Sequence, residues 1–142
     1  MTSTPDPAAP LSRQLRMIWG AMCAGIVLAS VVMASLVATG ADGGMADAAQ
    51  PAFFGVAVLS LAGLAVALSV MRGLEDRETR EPGYVQSRAI IAIAALEATG
   101  FLAAIAAFLT GDLLTLAFIV PMLGFAAVFW PSEARVARWL GV

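Results

Sequence analysis

The chain has 142 residues, of which 61% are hydrophobic and only 13% charged, and its net charge is −2. An ordinary soluble domain has about 25% charged residues, so the composition predicts an all-α polytopic membrane protein and, without a basic patch, no nucleic-acid partner. With no Lys, no His and a single cysteine, Cys23, the chain offers no residue set for a metal site or a catalytic triad, so we expect no metal, no cofactor and no catalytic residue.

Residues 1–14 precede the first apolar run and contain three prolines. This composition predicts a disordered cytoplasmic tail. The run that follows is too long for the short apolar core of a cleaved signal peptide, so we interpret it as the first membrane helix.

The apolar runs predict four transmembrane helices, because about 20 apolar residues span the hydrocarbon layer. They form one predicted domain, residues 15–131, with helices at about 15–39, 51–71, 88–109 and 113–130. Pro121 predicts a kink in the fourth helix, since it leaves the carbonyl of Ala117 without a donor. Residues 132–142 are predicted to be an interfacial cytoplasmic tail, whose Val136, Trp139 and Leu140 face lipid.

The arginines predict the topology. All eight fall in the N-terminal flank, the middle loop and the C-terminal tail, namely Arg13, Arg16, Arg72, Arg77, Arg80, Arg88, Arg135 and Arg138. By the positive-inside rule, both termini and the middle loop lie in the cytoplasm, which gives a bundle with its N- and C-termini inside.

A weak internal repeat agrees with this topology. The stretch from Arg16 to Asp42 parallels that from Arg88 to Asp112, since each has an Arg, an apolar run, Thr-Gly and an Asp. Helices one and three would then run in the same direction. Counting from each Arg pairs Glu97 with Gly25.

Glu97 is the one carboxylate within the third apolar run. An ionisable group at that depth costs about 2.5–3.5 kcal/mol on insertion scales for Asp and is a functional-site hypothesis by default. We expect it to be neutral unless a cation pairs with it, and Arg88 lies about 13 Å away along the helix. Glu97, Thr99 and Ser60 are therefore candidates for an ion- or proton-binding site. A structural hydrogen bond between helices, or no role, remains open for Glu97.

The segment AALEATGFLAAIAAFLTGD resembles the carboxylate helix of the rotary ATP synthase proteolipid, subunit c. Glu97, Thr99 and Gly100 match the typical motif, and Arg80, Glu81 and Pro82 resemble the Arg-Gln-Pro of that family's polar loop. The resemblance covers about 53–110 and implies proton handling at Glu97 and a docking role for the loop. Helix two lacks the family's run of alternating glycines. The chain otherwise resembles small uncharacterised four-helix proteins of the bacterial inner membrane.

Three function classes follow. The first is a non-enzymatic protein of the cell (inner) membrane that packs, within the lipid bilayer, against other membrane subunits or a second copy of itself. The second is a subunit-c-like protein that handles protons at Glu97. A membrane enzyme comes last, because neither a catalytic set nor a phosphate-binding loop is present.

Overall fold

A computed structural model describes residues 7–75 and 80–142, and this part of the chain is helical with no strand. Its five α-helices are α1 (Ala8–Ala38), α2 (Ala49–Glu75), α3 (Pro82–Thr110), α4 (Ile119–Val128) and α5 (Glu133–Leu140). Short 3-10 helices precede α2 at Ala46–Ala48 and α4 at Leu113–Phe118. The predicted all-α class is confirmed.

Three helical segments in the described residues are long and apolar enough to cross a membrane. They are Ala8–Ala38, Ala46–Glu75 and Pro82–Thr110, with 31, 30 and 29 residues. The next apolar segment, Leu113–Val128, bends by 75° into Glu133–Leu140, and it adds a fourth only if this bent pair forms one span. Residues 7–75 and 80–142 therefore contain three or four candidate spans.

The central element is α3, which packs against both α1 and α2. It runs parallel to α1, because Gly25 lies beside Glu97 while Gly43, beyond the end of α1, donates its N–H to the carbonyl of Phe108. It runs antiparallel to α2, because Gly63 contacts Thr99, while Gly55, nearer the start of α2, lines a groove with Leu109, nearer the end of α3. The parallel arrangement of helices one and three that the repeat predicts is therefore present.

The first helix begins earlier than predicted. It starts at Ala8 rather than near residue 15, so 8–14 are helical and not a disordered tail, while residues 1–6 lie outside the described part. Ala8, Leu11 and Leu15 are buried in one cluster with residues of α5. The added turns form because α5 gives them an apolar surface to cover.

The C-terminal helix packs on protein rather than lipid. Val136, Trp139 and Leu140, predicted to face lipid, are at most 2% exposed. They lie in the same buried cluster as Leu11 and Leu15 of α1. The apolar face of α5 that the sequence predicts is present, but it covers α1 instead of lipid.

The predicted fourth helix is divided into a 3-10 segment and α4. Asp112 caps the 3-10 segment by accepting a hydrogen bond from the Leu114 N–H at 3.0 Å. Pro121 is the third residue of α4, where its missing N–H falls within the first turn of the α-helix. The proline thus marks the change of helix type instead of a kink inside one α-helix.

The end of α4 is held by side chains from α1 and α5. Trp19 of α1 donates its indole N–H to the carbonyl of Ala126 at 3.1 Å, and the Arg135 guanidinium of α5 donates to the carbonyl of Val128. The backbone N–H groups of Phe129 and Trp130 bond the carbonyls of Phe125 and Ala127. All four terminal carbonyls of α4 therefore have donors, which allows the chain to turn sharply into α5.

Candidate functional site

Glu97 lies near the middle of α3. The 29 residues of that helix extend about 43 Å at 1.5 Å per residue, which places Glu97 about 20 Å from either end. If α3 crosses a bilayer, its carboxylate lies at mid-depth. Its side chain is half-buried.

The carboxylate lies in the seam between α3 and α1. A Cβ built on Gly25 would stand 3.6 Å from Glu97 Oε1 and 3.8 Å from the ring of Phe101, so both side chains lie over this glycine. Cys23 of α1 is within electrostatic reach of the carboxylate. No side chain or backbone group in the described part of the chain donates a hydrogen bond to Glu97. The site is thus a mid-helix carboxylate without a hydrogen-bond partner among residues 7–75 and 80–142.

The helices on either side of this site are in close contact. A Cβ on Gly100 would come within 2.9 Å of Ile26 Cγ2 of α1. A Cβ on Gly63 of α2 would come within 2.9 Å of Thr99 Cγ2. Such approaches need glycine, so the two contacts fix α3, and with it Glu97, between its neighbours.

Thr99 and Ser60 lie on another side of α3 than Glu97. The Thr99 hydroxyl donates to the Leu96 carbonyl at 2.9 Å and approaches Met122 Sδ of α4 at 3.4 Å. A separation of two residues turns a side chain by about 200° around a helix. The Thr99 side chain contacts α2 and α4, whereas Glu97 contacts α1.

Ser60 belongs to the Thr99 side of the bundle. It is 2% exposed, and its hydroxyl has no hydrogen-bond partner within the described residues. It lies one turn from Gly63, the α2 residue that touches Thr99. The structure therefore brings Ser60 and Thr99 to one interface but does not bring either to the carboxylate, and ion or proton binding at Glu97 stays a prediction.

The predicted docking residues lie where the middle loop meets α3. Glu81 is the exposed N-cap of α3 and Pro82 is its first residue. The Arg80 N–H donates to the carbonyl of Leu140 at 3.2 Å, which ties the loop to the end of α5. The guanidinium of Arg80 lies 5.8 Å from the ring centroid of Tyr84. Residues 76–79 of this loop lie outside the described residues, and its docking role remains a prediction.

The described arginines and aspartates lie at opposite ends of the bundle axis, and Glu75, Glu81 and Glu133 share the arginine end. Every described arginine lies at one end of the bundle, which is formed by the start of α1, the end of α2, the start of α3, and α5. These residues are Arg13, Arg16, Arg72, Arg80, Arg88, Arg135 and Arg138. Asp42, Asp47 and Asp112 lie at the other end, where a Cβ on Gly111 would be 3.3 Å from Asp42 Oδ2. Glu97 lies between the two groups, out of reach of both.

One side of the α1–α3 seam is left exposed by the described helices. Five residues border Gly25 and Glu97 there at helical spacings, and all are exposed: Ala21, Leu28 and Val32 of α1, and Phe101 and Ile105 of α3. We call these five residues the open face. The α4 helix packs on the other side of the seam, where Ile26 and Ile119 share a buried cluster. Sequence reasoning missed this face, because which side of α3 is covered depends on where the chain places α4.

Outside the α1–α3 seam, the described residues form an apolar groove but no cluster of metal ligands. Within residues 7–75 and 80–142, no three His, Cys, Asp or Glu side chains are grouped as metal ligands. An apolar groove of about 290 Å³ lies between α2 and α3 at the aspartate end, with Gly55 and Leu59 on one side and Leu102 and Leu109 on the other. In comparisons with known proteins, no family model matches the chain, and no curated protein or solved structure is similar enough to count as a match.

Proposed function

We propose that the protein is a small, non-enzymatic protein of the cell (inner) membrane that acts by packing against other membrane subunits. The observation that carries this proposal is the open face, which exposes Leu28 at 66% and Ile105 at 44% beside a carboxylate to which no described group donates a hydrogen bond. An ionisable group at mid-depth is costly in lipid, and a neighbouring subunit would reduce this cost by covering the carboxylate.

The proposal includes four membrane spans with both termini in the cytoplasm. The 3-10 segment Leu113–Phe118 has 6 residues and α4 has 10; rises of about 2.0 and 1.5 Å per residue give about 27 Å, close to the hydrocarbon thickness of about 30 Å. The arginine end then faces the cytoplasm by the positive-inside rule, and the aspartate end faces outward.

Two substitutions test the packing proposal in native membranes. Leu28→Trp places a bulky ring on the open face, and Val120→Trp places the same ring on α4 at a residue that is 70% exposed. After mild detergent extraction, we expect the wild-type and the Val120→Trp variant to migrate in a native gel as the same larger complex. We expect Leu28→Trp to reduce or abolish that complex. If both variants keep it, or if the wild-type migrates as a monomer, the open face is not an interface.

The second candidate function is proton handling by Glu97 in the manner of subunit c. The observation that favours it is that Glu97 is half-buried near the middle of a candidate membrane span and that no described group donates a hydrogen bond to it. A hydrophobic carbodiimide reacts with protonated carboxyl groups, so this function predicts labelling of Glu97 that increases as the pH falls. The Glu133→Gln variant, changed at an exposed acid of α5, should label like the wild-type. Absence of labelling, together with full function of Glu97→Gln, would leave the packing function alone.

A further inference from the structure

Two arginines and a tyrosine meet where α3 begins. The guanidinium carbons of Arg80 and Arg88 lie 5.8 Å and 5.2 Å from the ring centroid of Tyr84. Both distances are within the reach of a cation–π contact, so a single ring holds both guanidinium groups. We propose that Arg80, Tyr84 and Arg88 bind the phosphate group of an anionic phospholipid at the membrane surface. This inference goes beyond the packing function, because it concerns the lipid and not a neighbouring subunit.

The positive charge of this pair is not neutralised within the described residues. Glu75, Glu81 and Glu133 share this end of the bundle, but no described arginine forms an ion pair with a carboxylate. Arg80 is half-buried, and its Nη1 atom is buried without a hydrogen-bond acceptor among the described residues. A partly desolvated cation without a counter-ion is costly, so a bound anion would stabilise this arrangement.

Other arginines at the same end already have partners in the protein. Arg16 and Arg135 donate to backbone carbonyls at positions 128 to 131, where the chain turns from α4 into α5. Their donors therefore hold the fold together. The guanidinium groups of Arg80 and Arg88 donate no hydrogen bond to any described residue, and their donors remain for a ligand.

A phosphate group suits the donors that these side chains offer. Guanidinium groups bind phosphate oxygens in a bidentate manner, and the phenol of Tyr84, a residue that is 45% exposed, adds a hydroxyl donor. A zwitterionic lipid also has a phosphate, but its own cation already neutralises it. An anionic phospholipid therefore complements the two arginines better.

The site also lies at the depth of lipid phosphates. The 29 residues of α3 extend about 43 Å, which exceeds the hydrocarbon thickness of about 30 Å. The first turns of α3, which carry Tyr84 and Arg88, therefore reach the headgroups if α3 crosses the bilayer. Basic side chains next to a membrane helix attract anionic lipids.

The tryptophans of the protein can report this binding. The full-length protein is reconstituted in phosphatidylcholine vesicles that contain a small fraction of phosphatidylglycerol or phosphatidylcholine with a pyrene-labelled acyl chain. Energy transfer from tryptophan to pyrene is then measured, with Trp139 at the same end of the bundle as the site. We expect the wild-type to prefer phosphatidylglycerol by about tenfold, and Arg80→Gln/Arg88→Gln to reduce this preference to about twofold.

Two variants separate a specific site from general attraction between charges. Arg13→Gln/Arg138→Gln removes the same charge from two exposed arginines at the same end of the bundle and should keep most of the preference. Tyr84→Leu changes no charge but removes the ring that holds both guanidinium groups, so it should reduce the preference about threefold. Helical circular dichroism establishes that each variant is folded.

Three results would overturn the proposal: equal transfer to the two labelled lipids in the wild-type, equal losses in the two double variants, or an unchanged preference in Tyr84→Leu. Inorganic phosphate, compared with potassium chloride at the same ionic strength, tests whether the phosphate belongs to a lipid, since salt alone screens charges. If phosphate abolishes the preference and chloride does not, the site takes a soluble phosphate and the lipid assignment is wrong. Equal effects of the two salts support the lipid. The packing function does not depend on these outcomes, because the variants leave the open face unchanged.

Discussion

Replacing Gly63 with alanine tests the contact between α2 and α3. The new Cβ would stand 2.9 Å from Thr99 Cγ2 and 3.2 Å from the carbonyl oxygen of Ala95. Carbon atoms pack best at about 3.5–4.0 Å, so the helices must separate by several tenths of an ångström. Thr99 cannot easily turn away, because its hydroxyl is bonded to the Leu96 carbonyl, and the Ala95 oxygen belongs to the backbone.

The expected magnitude comes from comparison with Gly55→Ala on the same helix. A Cβ on Gly55 meets no atom within 4 Å, because this residue lines the apolar groove. Both substitutions gain the helix propensity of alanine, up to about 1 kcal/mol, but only Gly63→Ala overpacks an interface, which costs about 1–3 kcal/mol. The difference between the two variants therefore isolates the overpacking, and Gly63→Ala should have the lower free energy of unfolding by about 1–3 kcal/mol.

The assay is reversible unfolding in mixed detergent micelles, followed by helical circular dichroism. Adding Thr99→Ser to Gly63→Ala removes Cγ2, the nearest colliding atom. Gly63→Ala should therefore lower the free energy of unfolding by less in the Thr99→Ser background than in the wild-type. Equal stability of Gly63→Ala and Gly55→Ala, or no coupling with Thr99→Ser, would refute the close contact between α2 and α3.

Three further predictions concern the ends of the helices. Trp19→Phe removes the hydrogen bond from the indole to the Ala126 carbonyl and part of a fully buried ring, so it should destabilise the protein by about 1–3 kcal/mol in the same unfolding assay. The control Trp130→Phe, at a residue that is 39% exposed, should have a smaller effect. Arg135→Met removes the donor to the carbonyls of Val128 and Trp130 and should speed amide hydrogen exchange at the corner between α4 and α5; exposed Arg138→Met should not. Gly111 has a φ of 70° next to Asp42, so Gly111→Ala places a side chain in the left-handed region and should lower the free energy of unfolding by about 1–2 kcal/mol. Gly124→Ala in α4 has free space for its Cβ and should not show this loss; equal stabilities of the two variants would contradict the strained turn.

Much of the fold follows from local sequence. Long apolar runs predict helices wherever they occur, and Gly111 and Asp112 mark the turn after α3 because each has a local backbone role. The burial of Trp139 against α1 could not be predicted, since an amphipathic helix shows which face is apolar but not what covers it. For the same reason, the sequence could not show which side of the α1–α3 seam is exposed.

The candidate site was predicted in part. Glu97 was identified from its depth in an apolar run, and the repeat paired it with Gly25, which does lie beside it. Grouping Glu97 with Thr99 was less sound, because a spacing of two residues already separates their side chains around a helix. The hydrogen bonds of Thr99 to its own helix could be known only from the structure.

The central claim is that Glu97 lies at mid-depth in the membrane, between a cytoplasmic arginine end and an external aspartate end. Cysteine accessibility in a Cys23→Ala background tests it directly, with single substitutions Asp112→Cys, Glu133→Cys and Glu97→Cys and a membrane-impermeant thiol reagent. We predict that the cysteine at 112 reacts in intact cells, that the one at 133 reacts only after permeabilisation, and that the one at 97 reacts in neither. Rapid labelling at position 97, or labelling of 112 and 133 from the same side, would contradict the account.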